Sequence, residues 1–217
     1  MADLPSIIPI FPLPNLVLFP DVGVPLHIFE PRYRQMIADV ADDHRIIGMA
    51  LLKGDWEREY YGQPDVFAIG CAGRVRDIAR LADGRFNILL EGFSEFRIVR
   101  ELRDKPYRRA EVEWLPVDSA TLETPAATIA TVRELLFGYI GEPAKQAWRS
   151  IVEQQGMDGA NLVNFLCFHL DLTSIEKQTL LEARGNRIAC LCDILTFKLE
   201  ERKLGPPGSG NGPDVVQ

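Results

Sequence analysis

The chain carries no basic segment ahead of its apolar opening, and its first basic residue is Arg32. A secretory signal needs such a segment, so none is expected here. Apolar runs fall well short of the roughly 18 residues that span a bilayer. Cysteines are few, four in 217 residues (Cys71, Cys167, Cys190 and Cys192), each in apolar company, and no N-x-S/T sequon occurs. Reduced, buried thiols fit that usage better than a disulfide framework. Basic charge is also scarce. The net charge is −7, with 15 basic and 19 acidic residues up to position 118 and 9 and 12 beyond it. Neither half has the cationic excess behind non-specific nucleic-acid affinity. These absences describe a soluble, cytoplasmic protein with no membrane association and a composition that argues against nucleic acid.

Chemistry is equally thinly supplied. There is no G-x-x-x-x-G-K-[ST] loop to cradle a nucleotide's phosphates. Histidine occurs at 27, 44 and 169 alone. Cys167 and His169 resemble a nucleophile and its base, but positions i and i+2 on a helix point about 200° apart and do not meet. The same geometry separates Cys190 from Cys192 and removes a C-x-C metal clip. G-F-S-E-F at 92–96 starts like a nucleophile elbow, yet lacks the second glycine and lies between strands. The G-S-G-N-G near the end follows no strand and opens no helix. No catalytic residue, metal site or cofactor site is expected, and the chain reads as non-enzymatic.

What is present changes character half-way. Residues 11–36, FPLPNLVLFPDVGVPLHIFEPRYRQM, hold five prolines among large apolar residues. Proline is confined to strand starts and edges, so this stretch reads as short extended pieces at Ile7–Ile10, Leu16–Phe19 and Val24–Phe29. Phe11, Leu16, Leu18, Leu26 and Phe29 are expected in the core. Pro31 then opens a helix to about residue 41, with Tyr33, Met36, Ile37 and Val40 at i, i+3, i+4 and i+7. Further strands follow at Ile46–Leu52 and across Val66–Leu81, where Asp83-Gly84 signals a type I′ hairpin. Phe86, Ile88 and Leu90 form the return strand, Gly92 a bulge, and Ala110, Val112 and Trp114 a last alternating set. Many short strands with one inserted helix predict a small barrel or pseudo-barrel.

From Thr124 onward the period is helical. Five helices are expected, about 125–140, 143–155, 158–170, 174–184 and 187–203. Leu162–Leu170 is apolar nearly all round, the mark of a central helix, and Thr173-Ser174-Ile175-Glu176 is a capping box. Gly185 should close the fourth helix. Residues 205–217 have nothing to bury and are expected to be disordered. The organisation is therefore a barrel over 1–118, a helical bundle over 119–204 and a tail over 205–217.

Several strings, taken in order, resemble one family. P-I-F-P-L-P-N-L-V-L-F-P (9–20), P-L-H-I-F-E-P-R-Y-R (25–34), I-I-G-M-A (46–50) and A-I-G-C-A-G-R-V (68–75) are similar to the N-terminal domain of Lon proteases. So are D-G-R-F-N-I-L-L-E-G (83–92), P-Y-R-R-A-E-V-E-W-L (106–115) and E-K-Q-T-L-L-E (176–182). The resemblance covers roughly 7–200 and implies an α+β fold: a PUA-like pseudo-barrel with one inserted helix, followed by a C-terminal helical bundle. It also implies a non-catalytic module that helps engage protein substrates. The ATPase and peptidase parts of those enzymes have no counterpart here, so a stand-alone Lon-domain protein is expected and proteolysis does not carry over.

Two features rise above the structural background as partner-binding candidates. The loop G-D-W-E-R-E-Y-Y-G-Q-P-D (54–65) sets Trp56, Tyr60 and Tyr61 between two strands. Loop aromatics are frequent interface anchors, and equally often plug a barrel mouth. Arg74 and Arg76 share a strand face and either meet an acidic partner or pair with Glu91, Glu111 or Glu113. The leading expectation is a module that binds unfolded or extended polypeptide. RNA binding on the PUA-like barrel is the alternative, and a small-ligand or hydrolytic enzyme the third.

Overall fold

The computed structural model describes residues 4–54, 56–59, 64–115, 125–154 and 159–204, without the side chains of 58, 59, 126, 143, 147 and 151–154. Six strands, β1 (Ile7–Leu13), β2 (Gly23–Ile28), β3 (Ile46–Leu51), β4 (Ile69–Arg80), β5 (Phe86–Leu102) and β6 (Arg108–Leu115), form one sheet. Its order is β2-β5-β4-β3-β1-β6, and β5 also pairs with β6. Strands β1, β3, β4, β5 and β6 therefore close into a ring, with β2 appended outside along the first half of β5. Only β1 and β3 run parallel, because β2 and the helix α1 (Pro31–Ala41) form the crossover between them.

Alternation fills both faces of the ring. Ile8, Ile10, Ile46, Ala50, Ala72, Phe96, Ala110 and Val112 point inward as one cluster. Phe96 is fully buried, and glycines make room for it: a Cβ on Gly48 would come within 2.7 Å of its ring and one on Gly70 within 2.6 Å. Ile47, Met49, Leu51, Cys71 and Val75 point outward into a second, larger cluster. There α1 covers them with Tyr33, Met36, Ile37 and Val40, the four residues that the helical spacing selects. Phe11 and Tyr33 join strand to helix with ring centroids 4.3 Å apart.

The opening stretch departs from its expected form between 14 and 22. Leu16–Phe19 is not a strand, although Val17, Leu18 and Phe19 are all buried. Asp21, at φ 61°, turns this segment onto β5, where Asp21 N donates to Gly92 O and Gly92 N donates to Val22 O, both at 2.9 Å. Gly92 permits the approach: a Cβ there would sit 2.1 Å from the Phe19 carbonyl oxygen. Phe29, expected inside, is 60% exposed, since β2 ends at Ile28 before the chain swings into α1. The β4–β5 hairpin lies where Asp83-Gly84 places it, but only Gly84 has positive φ. Leu81 N donates to Arg85 O and Gly84 N to Leu81 O, a three-residue loop with its left-handed residue last rather than a type I′ turn.

Helices α2 (Ala126–Tyr139), α3 (Glu142–Gln154), α4 (Gly159–His169), α5 (Ser174–Ala183) and α6 (Arg187–Leu204) follow. Thr173 caps α5 through its full capping box with Glu176. Val132, Leu136, Leu162, Leu166, Leu180, Leu191 and Leu195 continue the outer cluster of the barrel, so one apolar core runs through both halves. The left-handed residue after α5 is Arg184, at φ 47°, not Gly185. Its Nε donates to Glu95 Oε2 at 3.0 Å. Glu95, on the outer face of β5, also accepts from Arg187, which is itself buried and donates to Asn164 Oδ1 at 2.6 Å and to the carbonyls of Leu180 and Leu181. Gln178 adds a bond to Ile69 O of β4 at 2.9 Å. These polar ties fasten the helices to the barrel. The segments 116–124 and 205–217, where the domain boundary and the tail are expected, lie outside the described residues.

Candidate functional site

Four strand ends meet at one mouth of the ring: Leu13 of β1, Leu51 of β3, Leu102 of β5 and Arg108 of β6. The N-terminus of α1 lies against this mouth, and a groove runs between them. One arm is lined by Pro12, Leu13, Pro14, Leu52 and Pro64. The other is lined by Leu102, Arg103, Lys105, Pro106 and Tyr107. Glu30, Arg32, Tyr33 and Arg108 line both arms, so the two adjoin at these residues. Prolines gather here because strands and helix alike begin or end at this mouth, where a missing N–H costs no ladder bond. The lining mixes proline and tyrosine rings with charged groups.

A hydrogen-bonded post holds the second arm in place. Asp39 of α1 accepts from Tyr107 Oη at 2.7 Å, Gln35 Nε2 at 2.6 Å and Lys105 Nζ at 3.1 Å. The Tyr107 bond, with those from Gln35 and Lys105, holds the Asp39 carboxyl below its ordinary range. Burial and the neighbouring carboxylate push the Tyr107 hydroxyl up, so it remains a donor. The stabilisation from Asp39 is thus fully present above the unfolded aspartate value of about 4 and is lost as pH falls through the lower folded value. Asp39→Asn should cost about 1 kcal/mol at neutral pH, and that difference should vanish under acid conditions, as read by urea unfolding across pH. A difference that is the same at every pH would show that Asp39 acts without its charge.

At the groove's centre the Arg32 guanidinium lies 4.6 Å from the Tyr33 ring centroid while its Nε donates to Glu30 Oε2 at 2.9 Å. Arg108 is nearly buried. Its Nη2 donates to Pro64 O at 2.6 Å, whereas Nη1 stands 3.5 Å from Glu101 and makes no hydrogen bond.

The sequence candidates separate. The 54–65 loop springs from this mouth, tied at its base by Lys53 N to Asp65 O at 2.7 Å and Phe67 N to Leu51 O at 2.9 Å. Trp56 lies half-buried in a single 3-10 turn, Trp56–Glu59, and Tyr60 and Tyr61 lie outside the described residues. Arg74 and Arg76 are at the opposite mouth, Arg74 opposite Ile46 of β3 and Glu91 of β5, and Arg76 in the register shift between Val75 and Asp77. Arg76 forms an ion pair with Glu91, and Arg74 lies 5.2 Å from the Phe93 ring centroid. Sequence reasoning missed Tyr33, Arg103, Tyr107 and Arg108 as groove residues. A signal existed in the prolines at 12, 14, 31, 64 and 106, each at the end of an element, but nothing local says that these ends converge.

Burial shifts the cysteine thiols and His169 toward their uncharged forms. Burial raises the Cys71 and Cys167 thiols, Cys167 to about 12, so both stay protonated. His169, its ring centroid 4.2 Å from that of Phe165, is held below its ordinary value by burial and by Lys177. Among the described residues no three His, Cys, Asp or Glu side chains gather to hold a metal ion, and no helix is long and apolar enough to cross a membrane.

Residues 7–196, almost the whole described fold, match the family described as the ATP-dependent protease La (LON) substrate-binding domain. The chain belongs to that family. A Lon protease of Anaeromyxobacter dehalogenans (strain 2CP-C) is 26% identical over 209 residues, which is 93% of this chain and 24% of that protein. Lon protease 2 of Myxococcus xanthus is 27% identical over 209 residues, 93% of this chain and 25% of that protein. The LON domain described here thus spans about a quarter of the length of these curated relatives. In fold it is similar to a Lon N-terminal domain protein from Xanthomonas campestris, with TM-score 0.63 and 23% identity over 88% of this chain and 98% of that one. The N-terminal domain of Mycobacterium avium complex Lon protease gives TM-score 0.64 at 18% identity, over 90% of this chain and 98% of that one.

Proposed function

We propose that this LON domain binds polypeptide, in extended or unfolded segments, and performs no catalysis itself. The binding part is the barrel of residues 1–118, the helices of 119–204 serve as its brace, and the setting is cytoplasmic. The observation that carries the reading is the groove at the barrel mouth, two adjoining arms lined in part by proline and tyrosine rings. Such walls accept an extended chain because ring faces bury apolar area at little entropic cost. Free strand edges support the reading less. Ring closure removes most of them, and the edge strand β2 carries Pro25 at its centre, a common guard against strand addition. Trp56, Tyr60 and Tyr61, on the loop that leaves this mouth, are proposed as further anchors. The family's description as a substrate-binding domain agrees with this role.

The test is binding of a fluorescently labelled, permanently unfolded model protein to the purified domain. Trp56→Ala and Tyr61→Ala should each weaken it about tenfold or more if they anchor the chain. Absence of binding by the unaltered domain would sink the proposal.

A further inference from the structure

We infer that the polypeptide segment taken by this groove is acidic, a deepening of the function proposed above that rests on it. The whole chain carries net charge −7, yet the second arm and centre of the groove are lined by Arg32, Arg103, Lys105 and Arg108 against one carboxylate, Glu30. Groups packed behind that lining temper the excess without cancelling it. Arg32 is paired with Glu30 and Lys105 with Asp39, and Glu101 stands 3.5 Å from Arg108. Arg103, exposed on the β5–β6 turn, has no carboxylate partner among the described residues.

Arg108 carries the argument further. Its side chain is 10% exposed, and Nη1 has no hydrogen bond although it is buried. This guanidinium, with an unused donor and its charge partly offset by Glu101, is poorly screened by solvent and lies under the part of the groove shared by both arms. Beside it the walls are apolar rings. The mixed lining suits a chain whose carboxylates alternate with apolar side chains, which offers charge to the cations and apolar groups to the rings. A nucleic acid fits less well. Its unbroken run of phosphates would meet four cations, three of which already face a carboxylate, and the repulsion of an acidic molecule beyond them.

Short unstructured peptides with glutamate at alternate positions, their glutamine counterparts and single-stranded RNA of similar length are the probes, followed by fluorescence anisotropy. The glutamate peptide should bind about tenfold tighter than the glutamine peptide at low salt, and the gap should close by about 0.5 M. Arg103→Glu, an exposed change that leaves the fold alone, should remove most of the gap. Arg80→Glu, exposed on the opposite side of the ring, should leave it. Equal binding of both peptides would overturn the acidic preference while leaving polypeptide binding standing, as would a loss with Arg80→Glu equal to that with Arg103→Glu. RNA binding tighter than the glutamate peptide overturns the inference in favour of a nucleic-acid partner. Failure of every peptide to bind removes the underlying proposal as well.

Discussion

Arg187→Ala should destabilise the domain by about 3 kcal/mol, read as a lower urea midpoint with an unchanged slope. Arg187 is 3% exposed and answers four acceptors: the Glu95 carboxylate, Asn164 Oδ1, and the carbonyls of Leu180 and Leu181. Removing it leaves Glu95, 8% exposed, with Arg184 as its remaining ionic partner. The two carbonyls at the end of α5 lose a donor as well. Glu95→Gln should cost less, since the amide oxygen still accepts and Arg187 keeps three other partners. Arg184→Ala, whose pair is 30% exposed on the arginine side, should cost about 1 kcal/mol or less. If Arg187→Ala costs no more than Arg184→Ala, the tie between barrel and helices is not where the geometry places it.

Phe96→Ala should cost about 4 kcal/mol, the range for emptying a buried aromatic site. Phe96 is completely buried at the centre of the closed ring, with Trp114 edge-on at a centroid distance of 6.4 Å. Gly48 and Gly70 are the complement of its ring, and that complementarity gives a sharper test. Gly48→Ala alone should destabilise, because the new methyl would lie 2.7 Å from the Phe96 ring and 2.9 Å from Ile10 Cδ1. Combined with Phe96→Leu the same methyl gains space, so the double variant should be more stable than the sum of the singles predicts. Gly70→Ala should not be rescued in this way. Its Cβ would also meet the Met49 carbonyl oxygen at 2.4 Å, and a backbone atom does not make room when a neighbouring ring shrinks.

Much of this architecture is legible in the residues. Tyr33, Met36, Ile37 and Val40 announce α1 by spacing alone, and Thr173 with Glu176 announces α5 by its cap. Both signals are local and complete within a turn or two. Errors arose where a tertiary contact overrode the local pattern. Leu16–Phe19 reads as a strand, yet the backbone just after it, at Asp21 and Val22, is tied to the distant Gly92 of β5. Gly185 is the natural helix stop, yet the turn places Arg184 left-handed where its Nε can reach Glu95. Glu95 itself was a readable signal: one carboxylate inside G-F-S-E-F, among residues destined for the core. The groove was not legible, because its walls come from 12–14, 30–33, 52, 64 and 102–108. Those segments become neighbours through the β1–β6 and β5–β6 pairings that close the ring.

The central claim is that extended polypeptide lies in the groove at that mouth. Backbone amide NMR shifts of the isotope-labelled domain, followed during titration with an unfolded protein, test it residue by residue. Perturbations should concentrate at 13, 30, 32, 33, 52, 102–105, 107 and 108, with the opposite mouth around Arg74 and Arg76 unchanged. Perturbations centred on that opposite mouth or on the helices, or none at saturating concentrations, would contradict it.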